Sequence, residues 1–160
     1  MGKWMIGMTF FSALGSGLIA GIFFAFSAFV MASLARLPAE QGIAAMQSIN
    51  ETILKTLFSP VFMGTALLSV LAAVVSLLKF GAAGAPYVLA GSLLYLAGTF
   101  LVTIVFNVPL NDALAAVDPG SAEGAQVWEH YLSRWVAWNH VRTLAALASL
   151  ACFILALRKG

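Results

Sequence analysis

Charge is scarce in this chain. Asp, Glu, Lys and Arg make up 9% of its 160 residues and hydrophobic residues 62%, where a soluble domain carries about a quarter charged residues. A water-soluble core cannot absorb that apolar excess, so the composition reads as an integral membrane protein. The net charge of +2 comes without any basic run, which argues against nucleic acid as a partner. Cysteine is represented by Cys152 alone, which excludes an internal disulfide and a zinc site built from cysteines. It reads as a small apolar filler. The two histidines, His130 and His140, fall on different helical faces, too thin a set for iron, copper or zinc, and no metal site is expected. No axial pair for haem stands out. The chain also lacks a phosphate loop, a dinucleotide-type glycine motif and a serine nucleophile elbow. The glycine pair at Gly15 and Gly17 lies inside an apolar run and suits packing. The run 4–35 holds no charge and is too long for a signal-peptide core, so it reads as a retained span.

What is present is four long apolar segments, at about 5–33, 56–78, 87–108 and 138–157, each long enough for the roughly 20 helical residues a bilayer requires. Gly17, Gly21 and Ala25 form a small-residue stripe in the first, suited to close helix approach within the bundle or against a second copy. Phe23, Phe24, Phe26 and Phe29 follow, as packing or as an aromatic wall for a flat ligand. Pro38 and Glu40 suit a helix start. Ile43, Met46, Ile49, Ile53 and Leu57 then repeat at helical spacing, with Gln47, Asn50 and Glu51 on a more polar side. This is an amphipathic lead-in across the bundle mouth or on the membrane surface. It continues into segment two, where Pro60 is expected to kink the chain. Residues 79–86 form a short turn that makes segments two and three antiparallel neighbours. Segment three is expected to end in FNVPLND, where Pro109 frees carbonyls one turn earlier. Residues 112–126 are expected to be the main solvent-exposed loop, with a turn at Asp118, Pro119 and Gly120. The fold class is therefore all-α: an integral membrane four-helix bundle with an amphipathic lead-in to helix two and a helical extension before helix four.

That extension, WEHYLSRWVAWNHVRT at 128–143, holds three of the four tryptophans and both histidines. As a helix it places Trp128, Tyr131, Trp135, Trp138 and Arg142 on one face. The charge-free run between Arg142 and Arg158 spans only about 24 Å at 1.5 Å per residue, against a hydrocarbon core of about 30 Å. With Arg158 at one boundary, the other falls near Trp138. Asn139, His140, Arg142 and Thr143 are then at or inside the apolar slab, where polar groups face the bundle interior. The competing reading has Arg142 snorkelling to the headgroups and His140 merely interfacial.

Four spans put both termini on one side, with Lys3, Lys79, Arg158 and Lys159. The other side carries Arg36, Lys55, Arg134 and Arg142 together with all six acids. Basic density close to the span ends leans the termini toward the cytoplasm, in a multi-pass protein of the cell membrane. The far side gathers Gln47, Asn50, Asn107, Asn111, Asp112, Asn139, His140 and Arg142. Asp112 is the expected ion-pair partner of Arg142. The carboxamides suit a ligand carbonyl or phenol, and His140 suits proton transfer near neutral pH.

The stretch GLIAGIFFAFSAFVMASLARLPAEQGIAAMQSIN, the FNVPLNDAL block and the WEHYLSRWVAWNHVRT block resemble the anthrone oxygenase-like family of small four-span membrane proteins. The resemblance covers nearly the whole chain, and FNVPLND and WNHVRT are its specific part. It implies oxidation of an anthrone to an anthraquinone with molecular oxygen as co-substrate and no added cofactor. On that reading His140 removes a proton from the substrate methylene, and Asn139, Asn107 and Arg142 stabilise the oxyanion that forms. Asn50, Asn111 and Asp112 contact the substrate, and Phe26 and Trp138 give its flat rings a surface. The partners implied are the lipid bilayer and a hydrophobic aromatic small molecule. The alternative from the residues is a non-enzymatic membrane protein whose polar cluster only locks the helices. A cavity of a few hundred Å³ beside His140 would separate the two. A small transporter is a third reading, disfavoured because no pair of broken helices occurs near the midplane.

Overall fold

The computed structural model describes residues 2–79 and 81–160. Among them the chain is helical, without strands, and forms five helices: α1 (Lys3–Leu34), α2 (Ala39–Leu54), α3 (Phe58–Leu78), α4 (Ala85–Ala115) and α5 (Ala122–Lys159). All except α2 are long and apolar enough to cross a membrane. The four pack as a ring in chain order: α1 against α3, α3 against α4, α4 against α5, and α5 back against α1. The outer surface is apolar, with Phe10, Leu14, Leu18 and Phe24 of α1, Leu67, Leu71 and Val74 of α3, and Leu144 and Leu147 of α5 exposed. Such a surface suits hydrocarbon and not water, and the chain is an integral membrane protein. The interior instead carries small and hydroxylic residues, among them Ser12, Ser16, Ala72, Ser92, Ala146 and Ser149, the composition that lets helices approach when lipid supplies no hydrophobic drive.

The amphipathic lead-in is present as α2. It is a separate helix: residues 55–57 break it from α3, and the Ser59 hydroxyl donates to the Leu54 carbonyl across the break (2.8 Å). Pro60 accordingly falls in the first turn of α3, where its missing N–H costs nothing, and does not kink a continuous helix. The apolar face of α2 (Ile43 and Met46) packs with Met31, Leu114, Trp128, Tyr131 and Trp135, so α2 lies across the bundle mouth against the extension of α5. The turn expected at 79–86 includes Phe80, which lies outside the described residues. Around it, Gly84 takes φ +87°, and a Cβ there would meet the Ala156 carbonyl at 2.8 Å. Both facts require glycine.

Three further expectations need correction. Segment three does not end at Pro109, because α4 runs through it to Ala115. The helix widens to π geometry over Leu94–Leu101 and Thr103–Asn107, and the wide turn ends just where Pro109 withholds its N–H. Consequently 112–126 is not one loop. The linker is only 116–121, closed by Ser121, whose Oγ accepts from the Gly124 N–H (2.9 Å) as the N-cap of α5. The close approach in α1 is not made by the Gly17 and Gly21 stripe either. Gly21 has open space around it and Gly17 meets Leu150 at ordinary contact, whereas a methyl on Gly15 would collide with the Thr65 hydroxyl.

Candidate functional site

At the mouth end, α1, α2, the start of α3, the end of α4 and α5 enclose a cavity of about 690 Å³. Its apolar wall includes Ile22, Phe23, Phe26, Ile53 and Phe58. Its polar wall includes Gln47, Asn50, Glu51, Thr103, Asn111, Asp112 and Arg142.

Arg142 is the centre of this wall. It is 5% exposed. Its Nε donates to Asn139 Oδ1 (2.9 Å) and its Nη1 to Thr103 Oγ1 (3.3 Å). The guanidinium carbon stands 3.8 Å from the Phe23 ring centroid and 4.8 Å from that of Trp135. The Asp112 pairing expected for it does not form. Among the described residues the one salt bridge joins Lys55 to Glu51, and Arg142 is buried without a carboxylate partner. The backbone around it is tied down as well: Thr99 Oγ1 donates to the Arg142 carbonyl (3.3 Å) and Thr103 Oγ1 to the Thr99 carbonyl (2.8 Å). Three of the five guanidinium N–H bonds remain for the cavity.

Asn139 positions the arginine. It is fully buried, and its Nδ2 donates to the Phe23 carbonyl (2.8 Å) and to Ser27 Oγ (2.7 Å). Phe23 lies one turn before α1 widens to π geometry at Phe26–Val30, a deformation that loosens a helix's hold on its carbonyls. Thr143 Oγ1 donates to the Asn139 carbonyl (2.6 Å).

Asn111 is held from the other side. Its Oδ1 accepts from the Tyr131 hydroxyl and from Trp135 Nε1, each at 2.8 Å. Two donors fix the amide orientation, so the Nδ2 hydrogens are left for the cavity. Trp135 therefore serves two neighbours, its ring face toward Arg142 and its N–H toward Asn111. It is steadied by stacking on Tyr131 (5.7 Å) and by Phe26 (5.7 Å). Asn107 is fully buried behind the wall, donating to the Trp135 carbonyl (3.2 Å), with its Oδ1 unpartnered. Gln47 ties α2 to the end of α4 through bonds to the carbonyls of Leu114 (2.8 Å) and Val117 (3.1 Å). Of the two carboxylates on the cavity, Glu51 is held below the usual carboxylate range, first by its hydrogen bond to Lys55 and then by that cation's charge. Asp112 is in no ion pair among the described residues.

The expected residues therefore divide. Arg142, Asn50, Asn111, Asp112 and Phe26 line the cavity, and Asn139 and Asn107 stand directly behind it. Two do not belong. His140 is exposed and outside the cavity, so the position expected of a base is not met. Trp138 is half-buried and stacks on Phe106 at 3.6 Å, away from the cavity. Asn139, not Trp138, continues the buried face of α5. Thr99 and Thr103 also belong to the site, though no motif in the sequence marks them. With Asn107 and Asn111 they recur every four residues, a spacing that overshoots a turn of α-helix by about 40° each time and keeps one face only where the helix is wider. Among the described residues no three His, Cys, Asp or Glu gather within metal-ligating reach.

Residues 52–152 match the family described as Anthrone oxygenase. The chain belongs to the anthrone oxygenase family. The match takes in α3, α4 and most of α5, and with them Asn107, Asn111, Asp112, Asn139 and Arg142. The α1 wall and most of the α2 wall of the cavity lie before it; Ile53 and Leu54 at the end of α2 fall within it. No curated protein and no solved structure matches the chain.

Proposed function

We propose that this member of the anthrone oxygenase family is a cofactor-independent membrane oxygenase that oxidises the methylene of a flat phenolic, anthrone-type substrate with molecular oxygen. The observation that carries the reading is the buried, carboxylate-free Arg142 in the wall of a 690 Å³ cavity. Ligand sites commonly measure about 300–1,000 Å³, so there is room for three fused rings against Phe26 and Phe58. A polar cluster serving packing alone would be filled to interior density.

The substrate oxygen sits toward Arg142, with Asn111 Nδ2 as a second donor. Removal of one methylene proton places the electron pair on a delocalised anion whose charge rests largely on that oxygen. Fixed donors stabilise it without reorganisation. Asp112 takes the proton, since His140 is outside the cavity and Glu51 is engaged by Lys55. The carbanion carbon gives its electrons to oxygen and a C–O bond forms, yielding a hydroperoxide after protonation. Loss of the second methylene proton with cleavage of the O–O bond gives the ketone and water. One dioxygen is consumed: one atom enters the product and the other leaves as water. We further place the protein in the cell membrane with its termini cytoplasmic and the cavity at the opposite face.

The second reading, a non-enzymatic protein with a structural cluster, draws on Asn139, whose bonds link α1 to α5. Oxygen uptake by the purified, detergent-solubilised protein with an anthrone separates the two. A rate above autoxidation, lost in D112N and R142Q, supports the oxygenase. Background turnover, with R142Q merely less stable, supports the structural role.

A further inference from the structure

A lone buried cation in a membrane protein sets a problem of charge balance. Removing a guanidinium from water is costly even after relaxation. Two ring faces return part of that cost, and two hydrogen bonds to neutral oxygens return a comparable part. Neither supplies an opposite charge. The charged and amide groups facing the cavity are Gln47, Asn50 and Glu51 from α2, Asn111 and Asp112 from α4, and Arg142 from α5. The only acids, Glu51 and Asp112, are exposed residues of the helices at the mouth, and neither bonds to Arg142. Nε and one Nη1 hydrogen are committed to Asn139 and Thr103. What remains is an Nη1 hydrogen and both Nη2 hydrogens, the edge that grips two oxygens of one anion. Asn111 adds an amide locked with its donors free.

We propose that the cavity binds a preformed organic anion: a carboxylate or phenolate oxygen on the free edge of Arg142, with an apolar body between the aromatic walls. This rests on the oxygenase reading for the aromatic nature of the ligand, and not for its charge. It implies that the substrate arrives already carrying an acidic oxygen in addition to the ketone oxygen at which charge develops, the two sharing the three free N–H bonds of Arg142 and the amide of Asn111, and that neutral analogues of the same shape are poor ligands. The same chemistry is offered by a free aromatic acid and by a fatty acid of the bilayer.

The test is equilibrium binding to the full-length protein in detergent, read by quenching of tryptophan fluorescence. Anthracene-9-carboxylate is compared with anthracene-9-methanol, and oleate with oleyl alcohol, at matched micellar concentrations. The anthracene acid should bind at least ~10-fold tighter than its alcohol, as a charge-assisted bidentate contact requires. R142Q should bring the pair within about twofold and R142K should keep part of the preference. D112N, which removes a rim carboxylate, should leave the preference intact or raise it. Preference for oleate without preference for the anthracene acid upholds the anion site and assigns it to a bilayer acid. Equal binding of acid and alcohol in the wild type overturns the proposal, whether or not R142Q folds. Oxygen uptake is scored separately: an anion site without turnover sinks the oxygenase reading alone, and turnover with no charge preference sinks this inference alone.

Discussion

The Arg142 guanidinium carbon lies 3.8 Å from the centroid of the Phe23 ring, a side chain 2% exposed. The ring holds the cation in place on one side and leaves its donor edge to the cavity. Replacing Phe23 by leucine keeps an apolar side chain and removes the quadrupole. F23L should lose about 1–2 kcal/mol, seen as a lower thermal midpoint in detergent and as weaker binding of the anthracene acid. An unchanged midpoint would mean that Arg142 is held by Asn139 and Thr103 alone.

Proton transfer is assigned to the mouth of α4. H140A should keep oxygen uptake within about twofold of wild type, because a side chain outside the cavity cannot reach the substrate. D112N should lower it by roughly 10²–10⁴, the range of a positioned general base. The reverse pattern would restore His140 and require a substrate pose outside the cavity.

Asn111 separates structure from charge. N111A leaves the Tyr131 hydroxyl and Trp135 Nε1 without their acceptor, at a cost of about 1–3 kcal/mol for each unsatisfied group. N111D keeps the acceptor for both and adds a negative charge to the wall. It should retain most of the wild-type stability while binding the anthracene acid at least ~10-fold more weakly, as like charges do. Equal anion binding by N111D and wild type would place the anion away from this residue.

Two glycines of α1 should respond with opposite sign. G15A pushes a methyl into the Thr65 hydroxyl, itself committed to the Val61 carbonyl at 2.7 Å, and should destabilise by about 1–3 kcal/mol. G21A adds a methyl to open space and should be neutral or stabilising by up to ~1 kcal/mol through helix propensity. Thermal unfolding in detergent measures both. A marked loss in G21A, accompanied by a shift in particle size, would reveal a second copy packed there.

The spans were legible because scarce charge and long apolar runs leave a chain few alternatives. Arg142 and Asn139 could be placed inside because the run to Arg158 is too short to span without them. The errors at Trp138 and His140 share one physical origin, angle along a helix. Taking Trp128 as zero at 100° per residue, Asn139 falls about 20° away, Trp138 about 80° and His140 about 120°. The tryptophan was the more conspicuous residue, but the angle favours the asparagine and turns the histidine outward. In α4 no such sum works, because the π turns change the angle per residue. For the same reason the reading of Pro109 as a terminus failed: a proline ends a regular helix, but a wide turn before it carries the chain onward. The missing carboxylate at Arg142 had no sequence signal, since Asp112 lay at a plausible position.

The wide turns of α4 set where the site tolerates a change of chain length. Removing a single residue from Thr103–Asn107 would let the helix tighten to regular α geometry, and the tightening itself absorbs the loss, because an ordinary turn holds one residue fewer for about the same sweep. Asn111 and Asp112 would keep their faces. A residue lost from the regular turn that follows, at 108–110, has no such buffer. Everything beyond would swing by about 100°, and Asn111 would leave Tyr131 and Trp135. A change in what this bundle accepts can therefore come from one codon lost just after the wide turns, with no substitution at the site.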